Sequence, residues 1–382
     1  MNSIIRINFL LITLILAALY FVPTATAGDR VVVKPHAAKR FATMPENAPF
    51  PEGIAVNPNN GDVIVGTFIF GAANHLVRFS KTGRVLANIN VGPAPVLGLA
   101  YNDGKVYICR PAALIGAPPS LIQRIDANFV DGSSPETVAV VPPVGAPANR
   151  VETNNPDGSE DEIIFGNNAA APNAITFNYY GDLYFSDSFQ GAVFLIEDPA
   201  TNCPNAPCAL VVETVAHSPL LATAGFPPFG AHGVALNDDE TILFVTNTGD
   251  DRVLSIDLTK PVLDLDLDSG DTKNVVTFAE SINGADDMVS DGHGHLWVIA
   301  NQADQLVALD METGRVRAEM GEFLGFKKDG SARGLLFPAS LSFLSKKKVV
   351  ITNLSLPLTG GDEEPEGDVE VYTISRINLP KL

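Results

Sequence analysis

One pattern returns six times along this chain and limits its fold more than any other feature. Each copy is a short strand, a polar or glycine turn, a second strand rich in β-branched and aromatic residues, a short Asn/Asp/Gly loop and a third strand. The copies open at Gly53, Gly98, Ala174, Gly233, Asp287 and Ser340. Their first hairpins turn at Asn60-Gly61, Asp103-Gly104, Gly181-Asp182, Asp238-Asp239, Gly292 to Gly294 and Ser345 to Lys347, mostly residue types that tight turns select. Helical periodicity is nearly absent, which excludes the α/β folds. A three- or four-stranded sheet cannot bury both faces alone, so the six sheets must pack around an axis. The predicted fold is an all-β, six-bladed β-propeller. A sandwich is the alternative for an all-β chain of 382 residues, but sandwiches do not repeat one three-strand signature with matched turns.

Boundaries follow from the same reading. Residues 1–27 read as a secretory signal peptide: Arg6, an apolar run from Phe9 to Val22, then Ala25-Thr26-Ala27 as a small-residue cleavage site. The run is shorter than the roughly 18 apolar residues that span a bilayer, which favours cleavage over anchoring. The mature chain is thus expected to be secreted or periplasmic, without stable membrane insertion. Residues 28–382 form a single propeller domain, with about 59 residues per blade against the roughly 40 to 50 of compact repeats. The excess lies in residues 128–171 and 199–231, expected as long loops on one face. Val369 to Ile374 is expected to share a blade with Val31 to Val33 and so close the ring. In an oxidising compartment Cys203 and Cys208 can form a disulfide, and Cys109, beside Val106-Tyr107-Ile108, is expected as a buried thiol.

In a propeller the first strand of each unit lines the central channel. The residue before each start therefore forms a column: Glu52, Leu97, Asn173, His232, Asp286 and Ala339. Four of these can bind metal. Acids and amides converging on a narrow axis are costly unless a cation or water compensates them. Oxygen donors suit Ca2+, while His232 moves the choice toward Zn2+ or Mn2+. A water-filled polar channel is the plain alternative. The second strand of each unit returns to the same face, which places Asp187, Asn247, Asn301 and Asn353 around the column as supporting groups. A formal charge of −19 argues against nucleic acid and acidic membranes as partners and concentrates cations near the surface.

Competing signatures are missing: there is no Gly-x-Ser-x-Gly elbow, no His-Glu-x-x-His, no phosphate loop and no dinucleotide fingerprint. The acidic run Asp264 to Gly270 lacks the spacing of a calcium loop, with Val275 where the bidentate Glu belongs, and reads as a solvated turn. His293 and His295 flank a hairpin turn and are expected there as exposed residues.

These motifs resemble the gluconolactonase (regucalcin-like) family and, more distantly, paraoxonase, strictosidine-synthase-like and NHL-repeat propellers. Pro51-Glu52-Gly53 is similar to that family's first-blade Glu-Gly, and Pro172-Asn173-Ala174 to its Pro-Asn-Asp. Asp286-Asp287-Met288, followed by Gly294-His295-Leu296-Trp297-Val298, resembles its Pro-Asp-Gly-Met and the Gly-x-Leu-Trp-Val strand. His232-Gly233-Val234 stands where the family has Asn-Gly-apolar, and Ala174 replaces an Asp. The resemblance implies a metal-dependent lactonase or esterase, acting as a monomer on a small-molecule lactone or ester. It implies Glu52, Asn173, His232 and Asp286 as ligands of one divalent ion, with Asp286 also the general base. Likeness to the paraoxonases adds Asp287 as a fifth ligand candidate. The alternative is a non-catalytic NHL-like propeller that binds a protein or glycan. A carbon–nitrogen bond-forming enzyme similar to strictosidine synthase would need a catalytic acid in an apolar pocket, for which the sequence offers no firm candidate.

Overall fold

Among the described residues, hydrogen bonding joins the strands into six mainly antiparallel sheets of four or five strands and two small two-stranded ones, in a computed structural model that describes residues 30–112, 119–152, 155–260, 274–359 and 363–382. The expected signal segment, residues 1–27, and the acidic run 264–270 lie outside the described residues. Blade one is Pro51–Val56, Val63–Thr67, Asn74–Phe79 and Val85–Gly92. Blades two to four repeat this order from inner strands Leu99–Asn102, Pro172–Phe177 and Ala231–Leu236, and blades five and six from Ala285–Ser290 and Pro338–Ser345. The inner strands neighbour one another in an unbroken cycle, blade six returning to blade one, so the architecture is a closed six-bladed propeller. Among the described residues no helix is long and apolar enough to cross a membrane.

Local chemistry explains the hairpins. At Asp103-Gly104 both residues take positive φ, 42° and 75°, the geometry that a two-residue turn between twisted strands requires. The core lies between adjacent blades. Tyr107, Phe185 and Phe194 are fully buried between blades two and three, and losing one such aromatic costs about 3–5 kcal/mol.

Three expectations are corrected. The ring is closed by Lys39–Thr43, which pairs antiparallel with Thr373–Asn378 in blade six, from Lys39 opposite Arg376 to Thr43 opposite Thr373. Val32–Lys34 instead runs parallel to Val316–Met320 at the outer edge of blade five. A 3-10 turn at Pro35–Ala37 separates these segments, and it is Ala42, packed with Val350 and Ile374, that carries the buried face. Second, the stretches 128–171 and 199–231 are not all loop. They contain the outer strands Glu136–Val140 of blade two and Glu213–His217 of blade three. In each the buried pair, Val138-Ala139 and Val215-Ala216, is adjacent and not alternating, because the pairing register shifts there, so the strand pattern is weak. Third, His295 is half-buried and engages Asp291 at 3.1 Å, while His293 is exposed as expected. The sulfurs of Cys203 and Cys208 are bonded, and Cys109 is fully buried, its thiol pushed up by burial and then by Asp187.

Candidate metal centre

In five blades the inner strand gains one residue on its neighbour at the same height. In blade one the pairing steps from Pro51 opposite Thr67 to Ile54 opposite Val65, and the same shift occurs at Pro172/Ile175, Ala231/Val234, Ala285/Met288 and Pro338/Leu341. Each is a β-bulge, a device that re-aims side chains. The extra residue falls at the column: Glu52-Gly53, Asn173-Ala174, His232-Gly233, Asp286-Asp287 and Ala339-Ser340. Neighbouring bulges nearly touch. A Cβ on Gly53 would lie 1.9 Å from the Leu97 carbonyl oxygen, and one on Gly98 2.2 Å from that of Asn173, so glycine at these two positions is a packing requirement.

Hydroxyls clasp the ring. Ser186 Oγ donates to the His232 carbonyl, Thr246 Oγ1 to that of Asp286, and Thr352 Oγ1 to that of Glu52. Sequence reasoning missed these three, although each directly precedes an Asp or Asn that it had singled out.

The geometry brings Glu52, His232 and Asp286 together, with one ligand atom from each within 4.8 Å of the others. His232 Nε2 lies 2.8 Å from Asp286 Oδ1 and 3.9 Å from Glu52 Oε1, and all three residues are buried. Asn173 lines the same cavity, its amide orientation fixed by Nδ2 donating to Ser188 Oγ at 2.8 Å. Asn301 Nδ2 holds Asp286 Oδ2 at 2.6 Å. Leu97 and Ala339 fill the remaining two column positions and are buried.

What distinguishes this cluster is what it leaves unpaired. Glu52 Oε2, Asn173 Oδ1, His232 Nδ1 and Asn301 Oδ1 are buried without a hydrogen-bond partner, and Asp286 Oδ1 has only the His232 imidazole beside it. Each such atom costs about 1–3 kcal/mol unless something else satisfies it. No Lys or Arg is among the described residues lining the cavity they share. Glu52 is consequently held well above the ordinary carboxylic range, first by burial and then by the charges of Asp286 and Asp287. Carboxylates, amide oxygens and an imidazole, buried and short of partners, fit a divalent cation.

Four other candidates sit elsewhere. Asp287 turns to the opposite side of the bulge, where Met288 N and Ser340 Oγ occupy its oxygens; burial pushes it up to about 6, against the Ser340 hydrogen bond. Asp187 accepts from Ala171 N, Gln190 N and Gln190 Nε2 and organises a loop. Asn247 donates to Leu220 O and Ala222 O, and Asn353 to Thr373 and Ser375. Only Asn301 touches the cluster. Register explains the split: Asp187, Asn247 and Asn353 lie opposite Pro172, Ala231 and Pro338, but in blade five that place belongs to Ala300. Asn301 is one residue further on, just past the strand at the start of a 3-10 turn, where its Nδ2 reaches Asp286.

Two cavities flank the ring. The narrow one, about 40 Å³, has the cluster as its floor. The wide one, about 490 Å³, is lined by the inner strands beyond the bulge, including Ile54, Leu99, Ile175, Val234, Asp287 and Leu341.

No known protein family matches this sequence. No curated protein matches it by sequence either. Fold comparison does find relatives. The calcium-binding protein regucalcin of Agrobacterium tumefaciens is 14% identical, with 92% of this chain and 96% of that chain covered at a TM-score of 0.57. A luciferin-regenerating enzyme is 13% identical, covering 88% of this chain and 94% of the other at a TM-score of 0.55. A gluconolactonase of Xanthomonas campestris is 15% identical, with 88% and 89% covered at a TM-score of 0.51. What is common at such identity is the fold, and the six-bladed propeller read from the repeats is the architecture shared with these proteins.

Proposed function

We propose that this chain is an exported hydrolase of lactones or esters that works with one divalent metal ion held by Glu52, Asn173, His232 and Asp286. The observation that carries the reading is the set of buried, unpaired oxygen and nitrogen atoms facing one small cavity. Mostly oxygen donors favour Ca2+, with His232 admitting Zn2+ or Mn2+ as competitors. Once bound, the ion supplies Lewis acidity toward a carbonyl oxygen. The protein's own part is positional and acid–base. Asn301 fixes one oxygen of Asp286, and the other, Oδ1, beside His232 Nε2, accepts a proton from the attacking water. The new bond joins that water's oxygen to the carbonyl carbon, the ring or ester C–O bond breaks, and the departing oxygen recovers the proton. Ser188 keeps the Asn173 amide oxygen turned inward, and the apolar rim excludes bulk water.

The test is metal analysis of the purified protein by mass spectrometry, followed by a panel of lactones and aryl esters with and without chelator. Stoichiometric metal and chelator-sensitive hydrolysis are expected. Metal-free protein that neither binds a divalent ion in calorimetry nor hydrolyses any member sinks the reading. Replacing His232 by Asn is expected to shift competition calorimetry toward Ca2+ by roughly tenfold or more over Mn2+ or Zn2+, because an imidazole donor is lost.

A further inference from the structure

The walls of the narrow cavity differ from its floor. Beside the column residue Leu97, the cavity is walled by Phe68, Phe229, Phe337, Leu356 and Leu358. The polar lining residues all belong to the floor, and the hydroxyl of Thr248 is already spent on Ala285 O at 2.9 Å. Rings meet across the rim: Phe68 and Phe229 lie 6.4 Å apart between centroids, and Phe229 and Phe189 5.5 Å. Apolar surface continues outward. Phe70 packs on Phe68 at 5.3 Å and is 43% exposed, and Phe226, next to the rim residue Pro227, is 57% exposed.

We infer, resting on the hydrolase reading above, that the substrate is a neutral lactone or ester bearing a long alkyl or an aryl arm, and not a polyhydroxylated sugar lactone. The cavity of about 40 Å³ is far below the roughly 300–1,000 Å³ of small-molecule sites, so the arm must displace rim contacts and take their place. Phe229, Leu356 and Leu358 are carried on connections between strands, outside the sheets. A hydrocarbon arm exchanges apolar contacts for apolar contacts. Sugar hydroxyls would leave water for walls that offer neither donor nor acceptor. The electrostatics agree, since no cationic side chain among the described lining residues is available for an anionic substrate.

A series of aliphatic lactones of increasing side-chain length, and a polyhydroxylated lactone of the same ring size, tests this in hydrolysis and in calorimetry. Specificity (kcat/KM) and affinity are expected to rise about fourfold per methylene until the rim is filled, with the polyhydroxylated lactone poorest. Phe229→Ser is expected to flatten that dependence and Phe229→Leu to retain it, with melting temperatures reporting folding. Chain-length-dependent binding without hydrolysis upholds the ligand class while removing the hydrolase reading. Equal or better binding of the polyhydroxylated lactone, or no dependence on length, overturns the inference.

Discussion

The two ends of the channel are made by the same inner strands and treat their polar atoms in opposite ways. At the narrow end buried oxygens and nitrogens face about 40 Å³ without protein partners. At the wide end about 490 Å³ is walled largely by apolar side chains, and the acid nearest the ring, Asp287, has its oxygens hydrogen-bonded. The change takes place between adjacent residues, Asp286 and Asp287, because the bulge between them turns one to each end. Burial of an acid therefore does not mark the site; several buried polar atoms short of partners around one cavity do.

The sharpest way to break that contrast is Asp286→Asn, expected to lower turnover by roughly 10²- to 10⁴-fold, against less than about tenfold for Asp287→Asn. Equal losses in steady-state kinetics would erase the distinction between the ends. Next, Gly53→Ala forces a Cβ onto the Leu97 carbonyl and is expected to cost at least about 3 kcal/mol, read from the urea midpoint, since the backbone there has no room to yield. Asn301→Ala is expected to weaken metal binding about 10- to 100-fold in calorimetry by freeing Asp286, whereas Asn353→Ala should lower melting temperature and leave metal affinity intact. The smallest effect concerns the rim. Asp304 accepts from Phe337 N at 2.7 Å, and burial pushes it up to about 7, with that hydrogen bond opposing and Glu366 adding to the rise. Its folded value exceeds the unfolded one, so the folded protein holds this proton more tightly. The stability it contributes is complete below about pH 4 and is lost as pH rises through about 7. Asn at this position keeps the acceptor and tolerates the φ of 55°, so Asp304→Asn should flatten the fall by roughly 1–3 kcal/mol in denaturation curves between pH 4 and 8.

Much of this molecule is legible in its sequence. The repeat period and turn residues pointed to the propeller, and aligning the repeats on Gly53, Gly98 and Gly233 put Glu52, Asn173, His232 and Asp286 at one height. The supporting residues were read less well, because Asp187, Asn247, Asn301 and Asn353 look alike in sequence, yet pairing register separates the third from the rest. The outer strands Glu136–Val140 and Glu213–His217 show no alternating pattern, because a bulge in their pairing buries two adjacent residues, Val138-Ala139 and Val215-Ala216.

Alternation, turn chemistry and repeat spacing are local properties, and from them the sequence by itself determined the number of blades, their order and the column that lines the axis. Which atoms of that column remain unpaired, which strand closes the ring and which aromatics from separate connections form the rim were decided only by the tertiary structure. Glu52 and Asp286 are separated by most of the chain, and their meeting, like the closure through Lys39–Thr43, depends on packing six sheets around one axis and on no signal within either segment.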